Sequence, residues 1–66
     1  MTQLRMSGEE VLTEADWLLA GGLLVDEVAD QLGRTVVALE MLSRRYGRAD
    51  LHSVFQRRVR QIRDAA

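Results

Sequence analysis

Nine basic side chains carry most of the chemistry this chain can offer, and all nine are arginine. A guanidinium presents a planar fork of N–H donors that grips a phosphate or a carboxylate at two points, so an arginine-only set favours contacts with oxyanions. A GC-rich coding sequence produces the same bias. The arginines are unevenly placed. Residues 1–33 hold seven acids (Glu9, Glu10, Glu14, Asp16, Asp26, Glu27, Asp30) against Arg5 alone, a charge of −6. Residues 34–66 hold eight arginines against Glu40, Asp50 and Asp64, a charge of +5, and the total is −1. A basic half of this kind suits a nucleic-acid face, and it equally suits self-association between opposite halves.

Other chemistries lack their residues. Cysteine is absent, which removes disulfides and thiolate metal sites. His52 is the one histidine and has no carboxylate cluster at ligand spacing, so neither a metal nor a cofactor is expected. No catalytic constellation places a serine or cysteine for a base to activate, no glycine-rich phosphate loop occurs, and the adjacent acids Glu9–Glu10 and Asp26–Glu27 fall on helix starts. The expectation is a protein that is not an enzyme. No apolar run approaches the roughly 20 residues that span a bilayer, and no signal-peptide pattern opens the chain. These absences lead us to expect a soluble, cytoplasmic protein that does not enter a membrane. A chain of 66 residues buries only roughly 60% of its unfolded surface. Its core must therefore be thin, and a second copy is a natural source of extra burial.

The elements that position these side chains are legible from spacing. There is no proline, and glycines at Gly8, Gly21–Gly22, Gly33 and Gly47 punctuate stretches whose apolar residues recur at helical intervals. The pattern predicts an all-α fold of three to four short helices, with a helix-turn-helix over about 25–45 at its centre. Residues 1–6 read as a flexible tail, and 7–66 as one helical domain. The first helix starts at Ser7 or at Thr13, since Ser7 with Glu10 and Thr13 with Asp16 both fit a capping box. Val11, Ala15, Leu18 and Leu19 make its apolar face, with Trp17 assigned to the core. The second helix runs from about Val25 to Leu32 with Val28, Ala29 and Leu32 inward. Leu24 takes its cap position, and Asp26 and Glu27 compensate at the positive end of the dipole.

Ala29 falls where the second helix must approach the third closely, and Gly33 where the chain turns. Thr35 offers a hydroxyl to cap the third helix, about Val36–Arg45, whose Leu39 and Leu42 face back. That order of small residue, glycine, cap and apolar pair points to DNA binding. The stretch GLLVDEVADQLGRTVVAL resembles the helix-turn-helix regions of small bacterial and phage transcription regulators, including the last domain of sigma factors. The resemblance covers roughly residues 13–46, about half the chain.

The resemblance implies a recognition helix, Val36–Arg45, laid in the major groove of double-stranded DNA. On this sequence the outward, base-reading positions are Val36, Val37, Glu40, Met41 and Arg44. They depart from the usual pattern, because bases are mostly read by Arg, Lys, Asn or Gln and only Arg44 is of that kind. Phosphate contacts fall to Arg34, Thr35, Arg44, Arg45 and Arg48, and four arginine contacts give a salt slope of about −3.6. The same arginines also suit the negative end of a helix dipole. A second reading is a protein-interaction module, an antirepressor or a polymerase-binding regulator, that docks Val36, Val37 and Met41 on a protein partner in transcription.

The fourth helix is expected to start with Asp50 as its cap and to be amphipathic over about 51–64. Leu51, Val54, Phe55, Val59 and Ile62 form its apolar stripe, with Arg58 inside the stripe. Either this face packs on the core while Arg58 finds an acid of the N-terminal half, or Leu51, Val54, Phe55, Arg58, Val59 and Ile62 form a homodimer interface. Tyr46 is expected to pack its ring and leave its hydroxyl wet. His52 is read as a solvated first-turn residue. The run Leu23–Leu24–Val25 lies either under the fourth helix or on an exposed patch.

Overall fold

Ser7 settles where the first helix begins. Its Oγ accepts the Glu10 N–H at 3.2 Å, and the Glu10 carboxylate accepts the Ser7 N–H at 3.0 Å. Both orphan donors are thereby satisfied. Thr13 lies inside the helix and donates its hydroxyl to the Glu9 carbonyl. The computed structural model describes residues 7–65, so the predicted tail over 1–6 lies outside the described residues. The chain forms four helices: α1 (Gly8–Ala20), α2 (Val25–Leu32), α3 (Val36–Arg45) and α4 (Ala49–Ala65). No strand occurs among the described residues, and none of their helices is long and apolar enough to cross a membrane. The all-α fold expected from the spacing is the fold observed.

α2 starts without a hydroxyl cap, as its sequence implied. Glu27 reaches back to accept the Leu24 N–H at 2.8 Å, which supplies half of a capping box. Asp50 does not cap α4. The helix already begins at Ala49, and Asp50 sits in its first turn, where its carboxylate faces the positive end of the dipole.

The core is drawn from all four helices. Val11, Leu12, Ala15 and Leu18 of α1 meet Val28 and Ala29 of α2, Val36 and Leu39 of α3, and Leu51 and Phe55 of α4. Leu19, Leu23, Val25, Leu32, Leu42 and Val59 close its edges. α4 packs chiefly on α3 and touches α2, while α1 lies against α2 and α3. The recognition-helix candidate therefore packs on all three of the other helices, and most extensively on α4. Each fully buried Leu or Phe stabilises such a core by about 1.5–3 kcal/mol.

Trp17 corrects the sequence reading, for it is 70% exposed. With α1 starting at Ser7, Ala15 and Leu12 lie on the core line. At 100° per residue Trp17 is turned about 160° from Ala15, which aims it at solvent. Leu12, which the reading passed over, takes the buried place. The run Leu23–Leu24–Val25 divides: Leu23 and Val25 pack on the core, and Leu24 stays exposed.

Candidate nucleic-acid interface

The turn between α2 and α3 is built as its residue order requires. Gly33 has φ +66°, a left-handed backbone that costs a side-chain-bearing residue energy and costs glycine little. It lets the Gly33 N–H reach the Asp30 carbonyl at 3.1 Å and the Arg34 N–H reach the Ala29 carbonyl at 3.0 Å, which closes the end of α2. Thr35 Oγ1 then accepts the Ala38 N–H at 3.0 Å and starts α3. Ala29 is buried at the approach of the two helices. The turn between α3 and α4 repeats the device at Gly47, where the Arg48 N–H reaches the Ser43 carbonyl at 2.8 Å and turns the chain into α4.

α3 presents one face outward. Val37 and Met41 are 50% and 59% exposed, and Arg44 and Arg45 stand beside them at the end of the helix. Ala38, Met41, Leu42, Arg44 and Arg45 line a shallow depression along this face. Two of the expected base-reading positions are not part of it. Val36 is buried in the core and Glu40 is only 7% exposed. The expectation takes Leu39 and Leu42 as the inward line, but α3 packs on α4 as well as on α1 and α2. Val36, Leu39, Glu40 and Ser43 therefore make a broader buried arc, and Leu42 lies at its edge.

Burying the Glu40 carboxylate requires partners, since an unpaired charge in such a place is strongly disfavoured. It has two. Arg44 Nη2 donates to Glu40 Oε2 at 2.7 Å, and His52 Nε2 lies 2.6 Å from the same oxygen. Burial pushes the Glu40 carboxyl up, but the hydrogen bonds from Arg44 and His52 outweigh it and hold the group below its ordinary range. His52 is thus a half-buried partner of α3, contrary to the solvated role expected of it. No signal in the sequence marks this link, because the contact joins residues on either side of the Gly47 turn. Ser43 is also fully buried, and its hydroxyl donates to the Glu40 carbonyl at 2.8 Å.

The arginines expected to meet phosphate differ in freedom. Arg48 is engaged by Asp16 of α1 at 3.2 Å and by Asp50 at 3.6 Å. Arg44 leans on Glu40, although 66% of its side chain is exposed. Among the described residues Arg34 and Arg45 carry no ion pair, and both are exposed. Arg34 stands in the turn before α3 and Arg45 at the end of α3. The hydroxyl of Thr35, exposed in the same turn, accepts the cap hydrogen bond.

The expected dimer stripe on α4 is mostly used inside the chain. Leu51 and Phe55 are 3% and 0% exposed and fill the core, and Val59 packs on it. Leu51 and Phe55 are taken up by the chain's own core and are closed to a second copy. Arg58 binds Asp26 through two hydrogen bonds, the partner in the N-terminal half that its place in the stripe implied. Val54 and Ile62 remain exposed. Among the described residues no group of three histidines or acids is placed to hold a metal ion. Tyr46 lays its ring over Gly8 and is 42% exposed. No protein-family pattern, curated protein or solved structure matches the chain.

Proposed function

We propose that the chain is a small DNA-binding regulator that docks α3 in the major groove. The observation that carries this reading is the joined geometry of the turn and the helix. Gly33 and Thr35 set α3 against α2, and the one face of α3 left open ends in Arg44 and Arg45, with Arg34 at its other end. Arginines at both ends of an exposed helix suit phosphates on either side of a groove. Between them, Val37 and Met41 offer apolar contact of the kind that recognises a thymine methyl. The base-reading set is then Val37, Met41 and Arg44, without the buried Val36 and Glu40.

A pair of copies extends the reading. Ile62 continues the line of Phe55 and Val59 along α4 yet is 45% exposed, because the body of the domain ends beneath it. With Val54 and Leu24 it supplies an apolar surface for a homodimer, which sedimentation velocity measures directly.

The apolar centre of the α3 face also supports a second reading, a module that docks Val37 and Met41 on a protein partner in transcription. Fluorescence anisotropy with random duplex DNA at about 50 and about 200 mM salt separates the two. Micromolar binding that collapses at the higher salt supports DNA as the partner. Absence of binding at the lower salt overturns it and leaves the docking face.

A further inference from the structure

We infer that His52 and Glu40 form a positioning pair for Arg44, in which protonation of His52 frees the Arg44 guanidinium for a phosphate. The inference rests on the DNA-binding reading above. Its basis is that side chains of two different helices address one carboxylate oxygen. Arg44 of α3 and His52 of α4 both meet Glu40 Oε2, at 2.7 and 2.6 Å. Arg44 still keeps 66% of its side chain in solvent at the end of the outward face of α3. The backbone N–H of His52 is fixed on the Arg48 carbonyl at 2.8 Å, so the imidazole approaches Glu40 from a set place.

The charge balance follows from these contacts. With a neutral imidazole, its proton on Nε2, His52 donates to the carboxylate without adding charge. Glu40 and Arg44 then cancel, and the guanidinium is held at the edge of the face. When a proton adds to Nδ1, the imidazolium satisfies the carboxylate and the cluster becomes +1. Arg44 is then the cation in excess, and it is the solvent-facing one. Three acids on the neighbouring elements are engaged elsewhere. Asp16 of α1 and Asp50 of α4 hold Arg48, and Asp26 of α2 holds Arg58. The groups that act on the Glu40 charge are Arg44 and His52.

The chain has one histidine and no cysteine, and an imidazole side chain is the kind that changes charge between about pH 5 and 8. One phosphate contact is worth roughly five- to tenfold in affinity at about 0.1 M salt. The test is anisotropy of a labelled random duplex titrated with the whole chain at fixed salt across that pH range.

The wild type is expected to bind about five- to tenfold more tightly at the acid end. His52→Gln, which keeps an N–H donor without the charge, is expected to give a flat profile at the weaker, high-pH affinity. Glu40→Gln, which releases Arg44 at every pH, is expected to give a flat profile at the tighter affinity. A flat wild-type profile, or a His52→Gln profile as steep as the wild type, overturns the inference and leaves DNA binding standing.

A wild type that binds no duplex at any pH overturns the DNA-binding reading instead. The positioning pair is then judged by NMR. The Arg44 side-chain Nε–Hε resonance must move with the protonation of His52, and an Arg44 signal that ignores His52 overturns the pair by itself.

Discussion

Arg58 and Asp26 form a two-pronged pair, with Nε to Oδ1 at 2.8 Å and Nη2 to Oδ2 at 2.7 Å, that ties the middle of α4 to the first turn of α2. Arg58 lies inside the apolar stripe of α4, where its stem covers the core edge while its head reaches out of it. Asp26 already favours the positive end of the α2 dipole, so the pair strengthens an acid that is well placed alone. The hydrogen bond from Arg58 holds the Asp26 carboxyl below its ordinary range.

A carboxyl depressed in this way lends stability that is complete above its unfolded pKa and is lost as pH falls through its folded pKa. The Asp26–Arg58 contribution is therefore present at neutral pH and fades below the ordinary carboxylate range of about 4. Melting temperature measured from neutral into acid for the wild type and Asp26→Asn checks this. The two curves are expected to lie a few degrees apart at neutral pH and to converge in acid, the gap staying small because both side chains are partly exposed. Parallel curves would show that the pair contributes nothing through its charge.

How far the sequence reached is best judged from such residues. Gly33, Thr35 and Ala29 were legible because each is required by a local backbone event: a left-handed turn, a cap and a close approach. Arg58 was legible as one of two alternatives, since a cation inside an apolar stripe must find an acid. Glu40 was not. Its burial depends on α4 folding back over α3, and on His52, twelve residues away, arriving at its carboxylate. Leu51 and Phe55 were ambiguous for the same reason, because an apolar stripe looks identical whether it faces its own core or another copy. Trp17 is exposed because its angle on α1 turns it away from the core line, which being a large apolar side chain does not reveal.

Phe55 and Ile62 lie on one line of α4 and are expected to respond in opposite ways. Phe55 is fully buried, and Phe→Ala in a core costs about 3–5 kcal/mol. A domain of this size has total stability of about 3–10 kcal/mol, so Phe55→Ala is expected to remove most of the cooperative melt. Ile62→Ser is expected to change stability of the single copy by less than about 0.5 kcal/mol. Urea titration followed by circular dichroism distinguishes them. Equal losses from both would mean that Ile62 is covered in solution, and a concentration-dependent melt would identify a second copy as the cover.

Gly8 is held to its small size by Tyr46. A Cβ added at Gly8 would stand 2.8 Å from Tyr46 Cζ and Oη, so the half-exposed ring has to swing away. Gly→Ala within a helix otherwise gains up to about 1 kcal/mol. Gly8→Ala is therefore expected to be destabilising or neutral in the wild type, and stabilising by up to about 1 kcal/mol when Tyr46→Ala has already removed the ring. A double-mutant cycle reads the coupling, and its absence would show that the ring does not rest on Gly8 in solution.

The arginines around α3 can be ranked by what already holds them. Arg34 and Arg45 have no ion pair among the described residues, whereas Arg48 is engaged by Asp16 and Asp50. A guanidinium that must first leave two carboxylates gains less from a phosphate than one that waits in water. Arg34→Ala and Arg45→Ala are each expected to lower the steepness of the salt dependence of duplex binding by about 0.9, the share of one phosphate. Arg48→Ala is expected to leave that slope close to the wild type and to show its effect in thermal stability, through the lost link between α1 and the α3–α4 turn. Met41→Ala removes apolar contact without touching charge. It is expected to keep the salt slope while weakening discrimination between duplex sequences. Anisotropy titrations of the four variants over a series of salt concentrations separate these outcomes. A slope that falls for Arg48→Ala and stays constant for Arg45→Ala would place the phosphates on the α1 side of the domain and remove the outward face of α3 from the interface.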